Sequence, residues 1–373
     1  MANAAPHNPP YRAEHVGSLL RPPELLKARE DLEAGRIRVT ELRQLEDDLI
    51  RKAVAMQEEL GLQAVTDGEY RRGVFYTDFI CRGLGGGSIY YEIERMFFIN
   101  EQGNKIAVPL LRIIDRLRWT APIHVDEYKF LKGLTRRAVK ITIPSPTIAY
   151  SVDGRNIKPG VYNDLSELRS DIADAYQREL RALADAGCGY VQIDEVPIAL
   201  YCDPKRVAQL KAGGQDVDKV LFETFPNLIN GALENRPPSM HITMHLCRGN
   251  NQSGWLTEGG YDPVADMLFN QINVDSYFLE YDTSRAGTFE PLRFVPKNKA
   301  VVLGIVSSKV PRLETKDELK RRIDEAAKYI DLDQLALSPQ CGFASTSPGN
   351  KLTVEEQNAK LRRIVEVAQE VWG

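Results

Sequence analysis

Apolar and polar positions along this 373-residue chain follow two rhythms. In the first, Leu42, Leu45, Leu49, Ala53, Met56 and Leu60 recur at spacings of three and four between Thr40 and Gly61. That spacing predicts an amphipathic helix closed by a glycine. The second is a series of short apolar runs, at 64–66, 140–144, 190–194, 241–245, 277–280, 300–306 and 334–338, which read as strands. Further helical patterns fall at 164–186, 217–233, 263–270, 316–330 and 354–371, the first opened by a capping-box-like Asp164 and Glu167. A weak first strand before Gly17 brings the count to eight, mostly separated by helices. This is the cadence of a single α/β domain of the (β/α)8 TIM-barrel class. An open doubly wound sheet is the alternative, but its Gly-x-Gly-x-x-Gly turn is missing.

One stretch breaks the rhythm. From Tyr70 to Thr135 there is a glycine run at 83–87, aromatic residues around Tyr90 and Phe97, and no long helical period. It reads as an insertion after the second strand, a hairpin laid across one end of the domain. The glycines lack the Lys-Ser/Thr of a phosphate-binding loop, so a flexible turn is expected. Residues 1–14, rich in Pro and Asn, read as a poorly ordered tail, and 15–373 as one catalytic barrel.

A formal charge of −4 gives no nucleic-acid footprint and no basic membrane patch. No run of about 18 apolar residues is present, and the expected setting is soluble and cytoplasmic. Cys81, Cys188, Cys202, Cys247 and Cys341 are too few and scattered for a disulfide framework. Free thiols are expected, some of them ligands.

Just beyond the strands stand Gly17-Ser18, Glu69, Ser145, Asp194, His245 with Cys247, Glu280, Ser307 with Lys309, and Cys341. In a barrel these ends share the face on which active sites are built. Polar residues open loops everywhere, which accounts for Ser145 and Ser307. Two cysteines, a histidine and three carboxylates exceed that account. His245 and Cys247 are two apart, so an extended backbone turns both to one side. Alone, that pair also reads as a core histidine near an inert thiol. With Cys341 and Glu280 it makes a four-coordinate His-Cys-Cys-Glu set suited to Zn2+, the carboxylate being the exchangeable member.

The segments His15-Val16-Gly17-Ser18, Asp67-Gly68-Glu69, Gln192-Ile193-Asp194-Glu195, His245 through Asn250, Leu279-Glu280-Tyr281-Asp282 and Gln340-Cys341-Gly342 resemble, in order and spacing, the catalytic barrel of the cobalamin-independent methionine synthase family and its single-barrel bacterial relatives. The resemblance implies zinc at His245, Cys247, Glu280 and Cys341. It implies homocysteine as the thiol, its carboxylate held by the Val16-Gly17-Ser18 backbone and the Ser18 hydroxyl, its ammonium by Glu69 and Asp194. Two carboxylates on one rim independently call for a cation; an ion pair with Arg71, Arg72 or Arg248 is the other way to supply it.

Three departures stand out. The second barrel of the full-length synthases is absent, and Val196 separates Asp194-Glu195 from Pro197. Where the family places a proton-donating histidine after the seventh strand, this chain has Lys309. A lysine in a solvent-facing loop would make a poor acid. The expected activity is methyl transfer to homocysteine from a methyl or alkyl donor, with a homo-oligomer or a methyl-delivering partner protein left open. Alkyl or epoxide transfer to another thiol such as coenzyme M is the alternative, though its sulfonate leaves Glu69 and Asp194 without a cation. A non-catalytic zinc-binding barrel is the reading from another class. The uroporphyrinogen decarboxylases share the barrel but need no zinc.

Overall fold

The computed structural model describes residues 9–92, 97–99, 105–107 and 109–373. Part of the expected tail, 1–8, and part of the aromatic stretch near Phe97 therefore lie outside the described residues. In chain order the elements are α1 (Pro23–Glu33), α2 (Val39–Glu59), β1 (Ala64–Val65), β2 (Leu84–Tyr91), β3 (Phe97–Ile99), β4 (Lys105–Ala107), β5 (Pro109–Trp119), α3 (Val125–Leu134), β6 (Ala138–Val139), β7 (Ile141–Pro144), α4 (Pro146–Ala149), α5 (Leu165–Asp185), β8 (Tyr190–Glu195), α6 (Pro204–Ala212), α7 (Val217–Lys219), α8 (Phe225–Leu233), β9 (His241–Leu246), β10 (Ser276–Glu280), β11 (Ala300–Val306), α9 (Lys316–Ala326), β12 (Leu335–Pro339) and α10 (Val354–Trp372).

Strands β7 to β12 form a six-stranded parallel sheet in which every strand lies beside its successor in the chain. Nearly every residue of these strands is buried, as a parallel sheet covered on both faces requires. This is why they appear as continuous apolar runs. Strand β6 leads directly into β7 and pairs in parallel with β1. At the other edge, Glu14 N–H donates to Leu337 O, and Leu337 N–H to Arg12 O, each at 2.9 Å. The weak first strand is thus a single parallel bridge, Ala13 to Leu337. It is joined toward β1 by the Thr66 hydroxyl on Gly17 O (2.6 Å) and by Leu19 N–H on Gly68 O (3.0 Å).

The helices start where the sequence says they should. Asp164 accepts from Ser166 and Glu167 N–H to cap α5, while Thr315 with Glu318 and Thr353 with Glu356 close capping boxes on α9 and α10. The predicted 217–233 helix is broken into α7 and α8 by a wide π turn at Val220–Thr224. The predicted 263–270 helix is likewise mostly a π turn, Met267–Gln271. Residues 84–119 hold the expected antiparallel pair, β2 with β5, and the same stretch leads to α3, which the pattern did not announce. No helix among the described residues is long and apolar enough to cross a membrane.

Candidate metal centre

His245 and Cys247 lie at the end of β9, Glu280 closes β10, and Cys341 follows β12 by two residues. One donor atom from each falls within 4.8 Å of all the others, and all four residues are buried. His245 Nε2 is 3.4 Å from Cys341 Sγ, and Cys247 Sγ is 3.5 Å from the same sulfur. A disulfide would need about 2.05 Å. Four tetrahedral ligands at zinc bond lengths of about 2.0–2.3 Å stand roughly 3.3–3.8 Å apart. The residues fit a zinc ion.

Their electrostatics agree. The hydrogen bond from Cys247, together with nearby His245, holds the Cys341 thiol well below its ordinary range, and the same contact pushes Cys247 well above it. Burial opposes charge on His245, but Cys341, Asp194 and Glu280 carry it up to about 9. Burial, reinforced by Cys341, pushes Glu280 up to about 7. Acidic groups crowded in a dry site in this way are stabilised by a cation.

Outer contacts fix the carboxylate. Glu280 Oε1 accepts from Arg248 N–H (2.7 Å) and Oε2 from Gln340 Nε2 (2.9 Å), and Gln340 Oε1 in turn accepts from Ser308 Oγ. Such contacts orient a ligand without belonging to it. Glu280→Gln, which loses the charge but keeps the shape and an amide oxygen to offer, should weaken zinc less than either cysteine change. Competition against a chromogenic chelator measures this, and a loss equal to that of Cys247→Ser would contradict the exchangeable role.

Glu69 and Asp194 stand close by. Asp194 is the register partner of His245 across β8 and β9. Its Oδ1 accepts from Gln192 Nε2 (2.7 Å), and burial, with a further push from Glu69, raises it to about 7. Glu69 has a φ of 60°, uncommon for a residue with a side chain. Its Oε1 accepts from Thr142 Oγ1 (3.0 Å), while Oε2 is buried with no hydrogen-bond partner. Of the three candidate arginines, Arg72 lies 3.7 Å from Glu69 Oε1 but spends its N–H groups on Thr142 (2.9 and 2.8 Å). Arg71 pairs with Asp47, and the Arg248 guanidinium stacks 4.4 Å over Tyr261.

On the opposite segment, Val16 O accepts from Gln192 Nε2 (2.6 Å). Among the described residues no backbone acceptor is paired with the N–H of Val16, Gly17 or Ser18. Gly17 has a φ of 144°, and a Cβ there would stand 2.7 Å from Thr142 Cγ2. Ser18 Oγ accepts from Ala344 N–H (3.3 Å) and lies 2.0 Å from where a Gly342 Cβ would be. Any side chain at 342 would displace it.

Lys309 corrects an expectation: it is buried, not solvent-facing. The 249–254 loop folds over it, and Nζ donates to Asn250 Oδ1 (2.9 Å), Gly254 O (3.0 Å) and Gly249 O (3.2 Å). Its charge pulls Glu280 downward against burial. It also lines a cavity of about 640 Å3 with Trp255, Asp282, Arg285 and Val310, a size typical of small-molecule sites. Ser307 and Ser145 serve local contacts, with Asp282 (2.9 Å) and Thr147 (3.1 Å). Gln340 and Asn250 were within the quoted motifs, but nothing in their residue type announced which ligand or lysine they hold.

The profile of the family described as "Cobalamin-independent synthase, Catalytic domain" matches residues 13–370. The uncharacterized protein YxjG of Bacillus subtilis is 44% identical over 366 residues, 98% of this chain and 95% of that protein. The methionine synthase of Pyrococcus furiosus is 25% identical, over 96% of this chain and 91% of its own length. A crystal structure from Listeria monocytogenes, assigned provisionally as a vitamin-B12 independent methionine synthase, superposes with a TM-score of 0.76 at 33% identity, covering 98% of both chains. This chain belongs to the cobalamin-independent methionine synthase family, through its catalytic domain.

Proposed function

We propose that the protein is a zinc-dependent thiol alkyltransferase that methylates homocysteine to methionine, on a closed (β/α)8 barrel with an insertion after its second strand. The observation that carries this reading is the juxtaposition of two sets: the buried His245, Cys247, Glu280 and Cys341 cluster, and the buried Glu69 and Asp194 carboxylates, one of whose oxygens has no partner. An amino-thiol satisfies both. The cavity beside Lys309 offers room for a second substrate, which a purely structural zinc site would not need.

Zinc bound by the four residues would lower the pKa of the substrate thiol from its free value of about 8.5, so that sulfur is present as thiolate. Glu69 and Asp194 hold the substrate ammonium, and the free N–H groups at 16–18 receive its carboxylate. This fixes the sulfur relative to the incoming carbon, where orientation contributes most. A carbon–sulfur bond forms as the bond from carbon to the leaving group breaks. A tertiary-amine leaving group must be protonated first.

The proton donor is the finer question. Lys309 is the candidate named from the sequence, and three hydrogen bonds to oxygens of loop 249–254 tether its ammonium there. We therefore assign the chemistry to a methyl donor whose leaving group departs without a proton: a methyl sulfonium or a methyl-cobamide. Turnover of the zinc-loaded protein with these donors should exceed turnover with 5-methyltetrahydrofolate by at least about tenfold, given the 10²–10⁴-fold usually contributed by a general acid. Robust folate-dependent turnover would overturn this donor assignment, and its loss in Lys309→Met would identify Lys309 as the acid.

A further inference from the structure

A second cavity, of about 340 Å3, is lined by Arg43 of α2, by Asp67, Arg71 and Arg72 around Glu69, and by His124 and Glu127 at the start of α3. Its acidic groups are only partly committed, and Glu127 Oε2 is buried with no hydrogen-bond partner. Asp67 Oδ1 accepts the Glu69 N–H (2.9 Å), and Glu127 lies 3.8 Å from His124 Nδ1 and 4.0 Å from Arg43 NH2. Arg72 is occupied by Thr142 and Glu69. Arg71 is different. It uses NH2 on Asp47 and lays its guanidinium 4.8 Å over the Phe130 ring, but Nε and NH1 are buried with no hydrogen-bond partner. Its side chain is only 7% exposed. His124 Nε2 is buried and unpartnered as well. Buried donors, above all charged ones, are seldom left unmade.

We infer that this cavity is a binding site for a small carboxylate, with Arg71 and His124 as its donors. A planar guanidinium beside an imidazole matches a carboxylate. A phosphate concentrates up to two charges on one group, which the acids in the wall, Asp67, Asp78 and Glu127, oppose more than the single charge at each end of a chain carboxylate such as glutarate. Because Arg72 borders the cavity and also faces Glu69, the ligand lies one arginine away from the proposed ammonium site. The carboxylate is either one end of the second substrate or a separate small acid.

Calorimetric titration of the full zinc-loaded protein with glutarate tests this, with inorganic phosphate as the rival probe. Saturable glutarate binding is expected, weakened at least about tenfold in Arg71→Gln by loss of a charge-assisted pair and unchanged in Arg36→Gln, a surface arginine. Since Arg71 also ties down α2 and its loss could unfold the loop, the same titration is followed in the wild type through the His124 ring resonances, assigned with His124→Gln. They should shift with the calorimetric midpoint. Glutarate that competes with whichever alkyl donor is turned over marks the second substrate's own carboxylate, and binding alongside that donor marks a separate acid. Tighter binding of phosphate, equal affinity in Arg71→Gln, or no saturation with no His124 shift (ordered water only) overturns the site. None of these outcomes alters zinc content, so the inference fails independently of the proposed function.

Discussion

Cys247→Ser and Cys341→Ser should each strip the protein of the stoichiometric zinc proposed for it. Serine matches cysteine in shape but offers a harder and far less acidic oxygen, whereas the Cys247 hydrogen bond and nearby His245 already hold the Cys341 thiol well below its ordinary range. Contacts beyond the ligand sphere are worth about 10–100-fold in metal affinity, so loss of a ligand itself should exceed about 100-fold. Elemental analysis after dialysis against a mild chelator reads the result, and circular dichroism confirms that each variant is folded. Near one equivalent of zinc retained in both variants would remove the metal centre as described. Activity should fall in parallel, because the thiol loses the cation that keeps it ionised.

The four clustered residues were legible because each sits at a strand end, where apolar runs give way to chemistry. Strands β8 to β12 are buried on both faces, and a fully apolar run cannot hide in a sequence. The first strand was faint for the opposite reason: only Ala13 and its neighbours pair with Leu337. In β1 two residues suffice because Gln57 supplies the next rungs, its Oε1 accepting Thr66 N–H and its Nε2 donating to Thr66 O, each at 2.9 Å. Strands β2 and β5 are partly exposed and β2 carries Gly85, Gly86 and Gly87, so their pattern is irregular. Lys309 was misjudged because burial depends on the loop covering it. A sequence shows that Gly249, Asn250 and Gly254 exist, but not that their oxygens converge on one ammonium.

Homocysteine should bind about 10²–10⁴-fold more tightly than 4-sulfanylbutanoate, the same thiol without its amine. Breaking a buried ion pair by removing one partner costs about 3–5 kcal/mol, which is that range of affinity. Here the uncompensated partners would be Glu69, with its unpartnered Oε2, and Asp194, already raised to about 7 by burial and by Glu69. An ammonium between them reverses the repulsion. Asp194→Asn should lose most of the discrimination while retaining zinc, which separates the amine pocket from the metal centre. Equal affinity for the two thiols in the wild type would withdraw the amino-acid assignment and favour an acceptor of the coenzyme M type. Arg72, 3.7 Å from Glu69, would then be the cation that stabilises the pair.

Cys247 and Cys341 are 94 positions apart, and that separation has a consequence in time. At about 5–20 residues per second, a ribosome needs roughly 5–20 s to travel from one cysteine to the other. Throughout that interval His245 and Cys247 have left the peptidyl-transferase centre while the residue that completes their set does not yet exist. Four-fold coordination of a metal there would therefore have to await the last strand, and an oxidant or a competing metal would meet the half-built pair before the finished pocket could exclude it.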